Sequence, residues 1–198
     1  MTLLFLGVIQ MNTVQPVAFA ERPIFYREQD CDMYHVLLYS IAYSLVEIPY
    51  LIISSLLFLI PFFFLMDFSD NFVLEKFFWF WLFQTLYMSS LVYCGQFMAA
   101  YFSSSSVAGI FGGLISTSFS LFAGFLIKYE TLPSFWTFMY WLNPLHYAIE
   151  GILMTQYYSD HHMILITETN EVMSLSNFLA EFFPSWSFSN RIFDIIAL

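Results

Sequence analysis

The chain has 198 residues, 60% of them hydrophobic and 22% aromatic, with only 10% charged, which is more apolar surface than one water-soluble core of this size can bury. Its net charge of -10 sets 15 acids against five lysines and arginines; that is too few cations to track a phosphate backbone, which excludes nucleic acid as a partner and leaves no polybasic lipid-binding patch. Cys31 stands in a polar stretch and Cys94 in an apolar one, so no disulfide is expected between them, and no metal-ligand spacing occurs.

Taken in chain order, Leu3 to Ala20 is apolar and ends in Ala18-Phe19-Ala20, which resembles a signal-peptidase site. No basic segment precedes it, and Gln10, Asn12 and Gln15 interrupt it. It therefore reads as the later part of a transmembrane helix whose beginning is missing. Glu21 to Tyr34 (ERPIFYREQDCDMY) is the most charged stretch and must lie outside the hydrocarbon, as a solvated loop in its simplest reading. Val36 to Met66 then runs for 31 residues with Glu47 as its only charge. At about 1.5 Å per residue it is longer than a hydrocarbon core of about 30 Å, so it must tilt, kink or protrude, with Pro49 and Pro61 as bending points. Glu47 either joins a polar relay between helices or sits near the end of a protruding helix, where snorkelling is cheap.

Asp67 to Lys76 reads as a short polar loop, and Trp79 and Trp81 after it belong either to an interfacial aromatic belt or to helix packing. From Phe77 to Ile127 there is no Asp, Glu, Lys or Arg over 51 residues, a helical length of more than twice the hydrocarbon thickness at about 1.5 Å per residue. The four serines at 103–106 divide it into two predicted helices, 77–102 and 107–127. Gly109 and Gly113 have G-x-x-x-G spacing, with Gly112 beside them. They predict a close helix contact, preferably within one subunit and otherwise at a dimer seam.

Pro133 to Met154 is long enough to span but is broken by Asn143-Pro144 and carries His146 and Glu150. Proline removes an amide donor and pushes the preceding residue out of helical geometry, so a broken, partly re-entrant pair of short helices is expected. Such backbone is tolerated at membrane depth only where protein or a watery cavity covers it. His146 and Glu150 are four apart and can pair, line an exit path or, the preferred reading, reach the outer interface. Residues 155–190 read as a polar, acidic excursion, and Arg191 to Leu198 as the opening of a further helix. Arg22 and Arg27 on one side against Lys76, Lys128 and Arg191 on the other leave orientation undecided by the positive-inside rule. The fold class is therefore an all-α membrane protein, a polytopic helical bundle incomplete at both ends.

Several motifs in order resemble one family. They are ERPIFYRE with Tyr34, then Glu47-Ile48-Pro49, Ala123-Gly124-Phe125, Leu132-Pro133, Trp136, Tyr140-Trp141, Asn143-Pro144, Tyr147 and Gly151. This set resembles the transmembrane domain of G-subfamily ABC transporters, especially the pleiotropic-drug-resistance branch, over nearly the whole chain. The resemblance implies six helices per half, two halves around the pathway and nucleotide-binding domains below. Residues 1–20 then correspond to the second helix, 21–35 to a cytosolic coupling segment, and 36–66, 77–102 and 107–127 to the third to fifth helices. Residues 133–154 become the extracellular re-entrant helices, 155–190 an extracellular loop, and 191–198 the start of the sixth helix.

By the same resemblance Glu21, Arg22, Phe25, Tyr26, Arg27 and Glu28 contact the ATPase domain, and Ile9, Thr117, Ser120, Phe125 and Leu126 lie along the translocation path. It also implies ATP and magnesium on a separate nucleotide-binding domain, a second transmembrane half, and a hydrophobic, amphipathic or lipid substrate at the plasma membrane or an endomembrane. No G-x-x-x-x-G-K-[ST] loop occurs in this sequence, so no catalytic residue is assigned and hydrolysis is expected elsewhere. Two alternatives remain. One is a truncated, non-transporting fragment. The other is a membrane enzyme, since Asp160-His161-His162-Met163 resembles the Asp-His-His-Cys core of protein acyltransferases but lacks its nucleophilic cysteine and zinc ligands.

Overall fold

The computed structural model describes residues 2–65, 73–124, 127, 132–157, 163–166, 171–174, 183, 186 and 190–198. Four long helices come first: α1 (Thr2–Asp30), α2 (Val36–Leu65), α3 (Val73–Tyr101) and α4 (Ser105–Leu121). Two short ones follow, α5 (Thr137–Leu142) and α6 (Pro144–Tyr157), then an antiparallel pair of four-residue strands, β1 (Met163–Ile166) and β2 (Glu171–Ser174), and a closing helix α7 (Arg191–Ala197). The class is an all-α membrane bundle, with the two strands confined to the excursion that the sequence leaves as loop.

Helix α3 is the centre of the bundle and packs on α1, α2, α4 and α6. Its small residues explain how closely. A Cβ placed on Gly95 of α3 would lie 2.9 Å from the Met11 carbonyl oxygen of α1. Reciprocally, a Cβ on Gly7 of α1 would meet Leu91 and Tyr87 of α3. Two backbones this near gain dispersion contacts that no larger side chain would permit. The buried stripe of α1, Gly7, Met11, Val14 and Gln15, is the face that makes this crossing.

The close-packing residue on α4 is Gly112, not Gly109 or Gly113. The buried residues of α4 are Ala108, Gly112 and Ser116, spaced by four, and a Cβ on Gly112 would sit 2.7 Å from Met11 Cε. Gly109 and Gly113 are one residue further on, about 100° round the helix, and a Cβ on either would meet nothing within 4 Å. The expected contact within the subunit at this pair is therefore absent, and the helix uses a neighbouring register.

Three expected boundaries also move. Helix α3 starts at Val73, inside the stretch expected as a polar loop, rather than at 77. Helix α4 starts at Ser105 behind Ser104, whose side chain accepts a 3.4 Å hydrogen bond from the Val107 amide, as serine at a helix N-cap does. It ends at Leu121 rather than running to 127, and Gly124 follows with a φ of 84°, a left-handed conformation that glycine adopts without a Cβ penalty. The charged stretch after residue 20 is helical: α1 continues without interruption to Asp30, through Pro16 and Pro23. Glu, Arg and Gln are good helix formers, and 29 residues at about 1.5 Å each outrun a hydrocarbon core of about 30 Å, so the last turns of α1 form an arm beyond it.

Between α2 and α3 hydroxyls supplement an apolar contact in which Leu51, Leu59 and Phe63 meet Phe80, Phe83, Met88 and Val92. Trp81 Nε1 and Thr85 Oγ1 both meet Ser55 Oγ at 2.9 Å, which assigns Trp81 to helix packing rather than to an interfacial belt. The break between α5 and α6 is held by Asn143, fully buried and extended at φ -84°, ψ 110°. Its Nδ2 donates to the Phe119 carbonyl of α4 at 2.7 Å, while its Oδ1 accepts from the Leu145 amide at 3.0 Å. One side chain thus satisfies the start of α6 and ties it to the end of α4. Helix α6 is buried nearly all round, from Leu145 to Gln156, as an element enclosed by protein must be.

Candidate functional site: a helical arm clamped to two spans

The last three turns of α1, Glu21 to Asp30, carry the six residues that the sequence singles out as a coupling segment. Arg22 is the one that ties the arm to the bundle. Its guanidinium donates to the Phe102 carbonyl at 2.7 Å, to the Ala100 carbonyl at 2.8 Å and to the Ala99 carbonyl. Ala99 and Ala100 are among the terminal acceptors of α3, at the negative end of its dipole, and Phe102 follows the helix directly. A planar five-donor fork suits three carbonyls where a lysine would not. The same guanidinium lies 4.9 Å from the centre of the Phe19 ring.

The second attachment is aromatic. Phe25 packs on Tyr39 of α2 with ring centres 4.4 Å apart, and Tyr34, Tyr39 and Tyr43 stack in series at 5.8 and 5.9 Å. Tyr34 Oη donates to Glu28 at 2.8 Å across the turn, where Asp32 adopts a left-handed φ of 50°. Desolvation among these rings, then the hydrogen bond to Glu28, pushes the Tyr34 phenol up to about 12. Glu21, Arg22, Phe25 and Glu28 therefore face the bundle or its edge, half-buried, while Tyr26 and Arg27 are exposed. The arm has an inner face fastened to α2 and α3 and an outer face free of the described chain's core.

The other sequence-derived positions do not assemble into one site. Glu47 is half-buried beside a pocket of about 260 Å³ that it shares with Gln10 and Ser54, and Gln10 Nε2 donates to Ser54 Oγ at 3.4 Å. Ser120 lines an apolar cavity of about 490 Å³ between α1, α2, α3, α4 and α6, whereas Ile9 and Thr117 are exposed and do not line it. Phe125 and Leu126 lie outside the described residues, as do Asp160, His161 and His162. His146 and Glu150 do not reach the outer interface. They are 2% and 3% exposed and pair at 3.5 Å between Nε2 and Oε2, because α6 is enclosed. Among the described residues no group of three or more His, Cys, Asp or Glu could hold a metal ion, and both cysteines are free thiols.

Sequence reasoning missed the acceptors of Arg22, since a backbone carbonyl has no signature, and also Asn190 and Asp194, which join Glu150 from forty or more residues away.

Helices α1 and α2 are both long and apolar enough to cross a membrane, and the arm of the first is bound to the second and third. These elements make a polytopic helical membrane domain. Residues 1–157 match the model of the ABC-2 type transporter family, and the chain belongs to that family, as transmembrane-domain sequence of a G-subfamily ABC transporter. It is similar to ABC transporter G family member 42 of Oryza sativa subsp. japonica, 32% identical over 86% of this chain and 11% of that protein. G family member 38 of the same rice is 34% identical over 78% of the chain and 10% of its own length. G family member 40 of Arabidopsis thaliana is 30% identical over 91% and 12%. The chain thus spans about a tenth of the length of these curated relatives. The membrane domain it carries is not catalytic by itself.

Proposed function

We propose that this chain supplies transmembrane elements of an ATP-driven exporter or flippase for hydrophobic, amphipathic or lipid molecules, and that the arm Glu21–Asp30 is its mechanical input. The observation that carries this reading is the triple clamp of Arg22 on the end of α3. Charged hydrogen bonds to three carbonyls make a stiff joint, and the aromatic stack fastens the same arm to α2. A push on the outer face, Tyr26 and Arg27, is then shared by two helices at once.

The push would come from a nucleotide-binding domain that binds ATP and magnesium and closes against its mate; this chain contributes no part of that chemistry. The exposed face of α1 that includes Phe5, Ile9, Asn12 and Thr13, and the exposed Thr117 of α4, suit a pathway shared with a second transmembrane half. Mixed aromatic, aliphatic and hydroxyl groups would hold amphipathic compounds by shape and dispersion. Drug efflux in the pleiotropic-resistance manner, at the plasma membrane or an endomembrane, is the setting that fits this lining. Glu47, Gln10 and Ser54 would serve as a polar relay between α1 and α2.

The test uses the transporter assembled with its nucleotide-binding domains and second half. Tyr26→Ala and Arg27→Ala remove exposed groups and should leave the helical fold intact, while lowering substrate-stimulated ATP hydrolysis several-fold. Unaltered stimulation in both variants would show that the arm is not an input.

A further inference from the structure

A third pocket, remote from the arm, lies between the α5–α6 break and α7. It has a volume of about 250 Å³ and is lined by Tyr140, Trp141, His146, Tyr147, Glu150, Asn190, Phe193 and Asp194. Its chemistry is unusual for the interior of so apolar a chain. Two carboxylates enter it, from Glu150 and Asp194, 3% and 1% exposed. The Glu150 carboxylate accepts from Asn190 Nδ2 at 3.0 Å and pairs with His146. Asp194 is different: among the described residues neither of its oxygens has a hydrogen-bond partner. A buried carboxylate left without donors costs several kcal/mol unless a cation or proton meets it.

The remaining walls are π faces. Tyr140 and Tyr147 are buried, Trp141 and Phe193 are half-exposed at the mouth, and Tyr147 and Phe193 meet edge to face at 6.0 Å. Tyr147 Oη donates to the Trp141 carbonyl at 2.8 Å, and Tyr140 Oη accepts from Trp186 Nε1 at 3.1 Å, so both rings are fixed in place. The groups do not converge as ligands of a dehydrated metal ion. Aromatic faces around a diffuse double carboxylate instead match a large, weakly hydrated cation, whose charge is met by ring quadrupoles as well as by oxygen.

We propose that this pocket binds a small organic ammonium ion, with Asp194 as its counter-ion and Trp141, Tyr147 and Phe193 as its aromatic wall. The ammonium could belong to a free solute or to a choline-type lipid headgroup; the recognition chemistry is the same.

The full chain in a sugar-headgroup detergent, which carries no ammonium of its own, is titrated calorimetrically with choline and with its neutral isostere 3,3-dimethylbutanol. Choline should bind saturably and at least about tenfold more tightly than the isostere. Asp194→Asn should lower choline affinity by about tenfold or more with unchanged helicity. Phe193→Leu, at a position 55% exposed where folding is not at stake, should lower it by about threefold to tenfold. Equal binding of the neutral isostere, or an unchanged affinity in either folded variant, overturns the proposal. Should Asp194→Asn not fold, the Phe193 variant and the isostere still decide. Competition by short-chain phosphatidylcholine assigns the ammonium to a lipid headgroup, and its absence to a free solute.

Discussion

Replacing Arg22 by alanine should loosen the end of α3 and little else. Three carbonyls, of Ala99, Ala100 and Phe102, lose a common cationic donor. A cation at a helix C-terminus contributes about 0.3–1 kcal/mol when exposed and up to about 2 kcal/mol when partly buried. Arg22 is half-buried and bonded to three carbonyls, so the upper value applies. A loss of about 2 kcal/mol in the local opening free energy is roughly a thirtyfold rise in amide exchange. The rise should be confined to the last turn of α3, including the Phe102 amide that bonds the Met98 carbonyl at 3.0 Å.

Hydrogen–deuterium exchange of the chain in detergent, read by peptide over residues 96–104, measures it, with the α3 segment near Tyr87 as the internal control. Arg22→Lys should fall between, since an ammonium is a point donor that cannot span three acceptors. Exchange at 96–104 that is unchanged in Arg22→Ala, with the arm still helical, would refute the clamp and remove the link from arm to α3.

Other substitutions follow from the packing. Gly95→Val should destabilise the chain by about 1–3 kcal/mol through overpacking, because the 2.9 Å approach is to a backbone oxygen that cannot rotate away; detergent melting curves should show the drop. Gly109→Ala and Gly113→Ala should stay within about 0.5 kcal/mol of the parent in the same assay, as nothing lies within 4 Å. Asn143→Ala removes two hydrogen bonds and strands a carbonyl, at a cost of about 2–4 kcal/mol, visible as earlier loss of helicity in a dodecyl sulfate titration. Ser55→Ala leaves Trp81 Nε1 without its acceptor, while Thr85 Oγ1 keeps the Trp81 carbonyl, and should cost about 1–3 kcal/mol; a shift in indole emission would report it.

The membrane class was legible because a charge-free run of 51 residues has no other stable solvent than lipid or protein. The break before α6 was legible at Asn143-Pro144 since proline constrains its neighbour whatever the tertiary context. The arm was not, because Glu, Arg and Gln serve a solvated loop and a helix equally well. What selects the helix is the seat of Phe25 on Tyr39 and of Arg22 on α3, and both are tertiary. The shift of the within-chain contact from Gly109 and Gly113 to Gly112 has a similar origin. Spacing identifies a small-residue ridge but not which of two adjacent ridges meets a neighbour, and Met11 of α1 chose Gly112. The pocket beneath α7 had no local signal at all, being assembled from positions forty or more residues apart.

The position of α3 bears on how the chain is built. Helices α1 and α2 precede α3 in the chain, yet each packs on the surface that α3 offers. Until it arrives, Gly7 and Met11 lack the helix that covers them and are available to wrong neighbours. Lesions at the α1–α3 crossing should therefore be seen by quality-control proteases during synthesis, as missing protein rather than as a folded variant of altered behaviour.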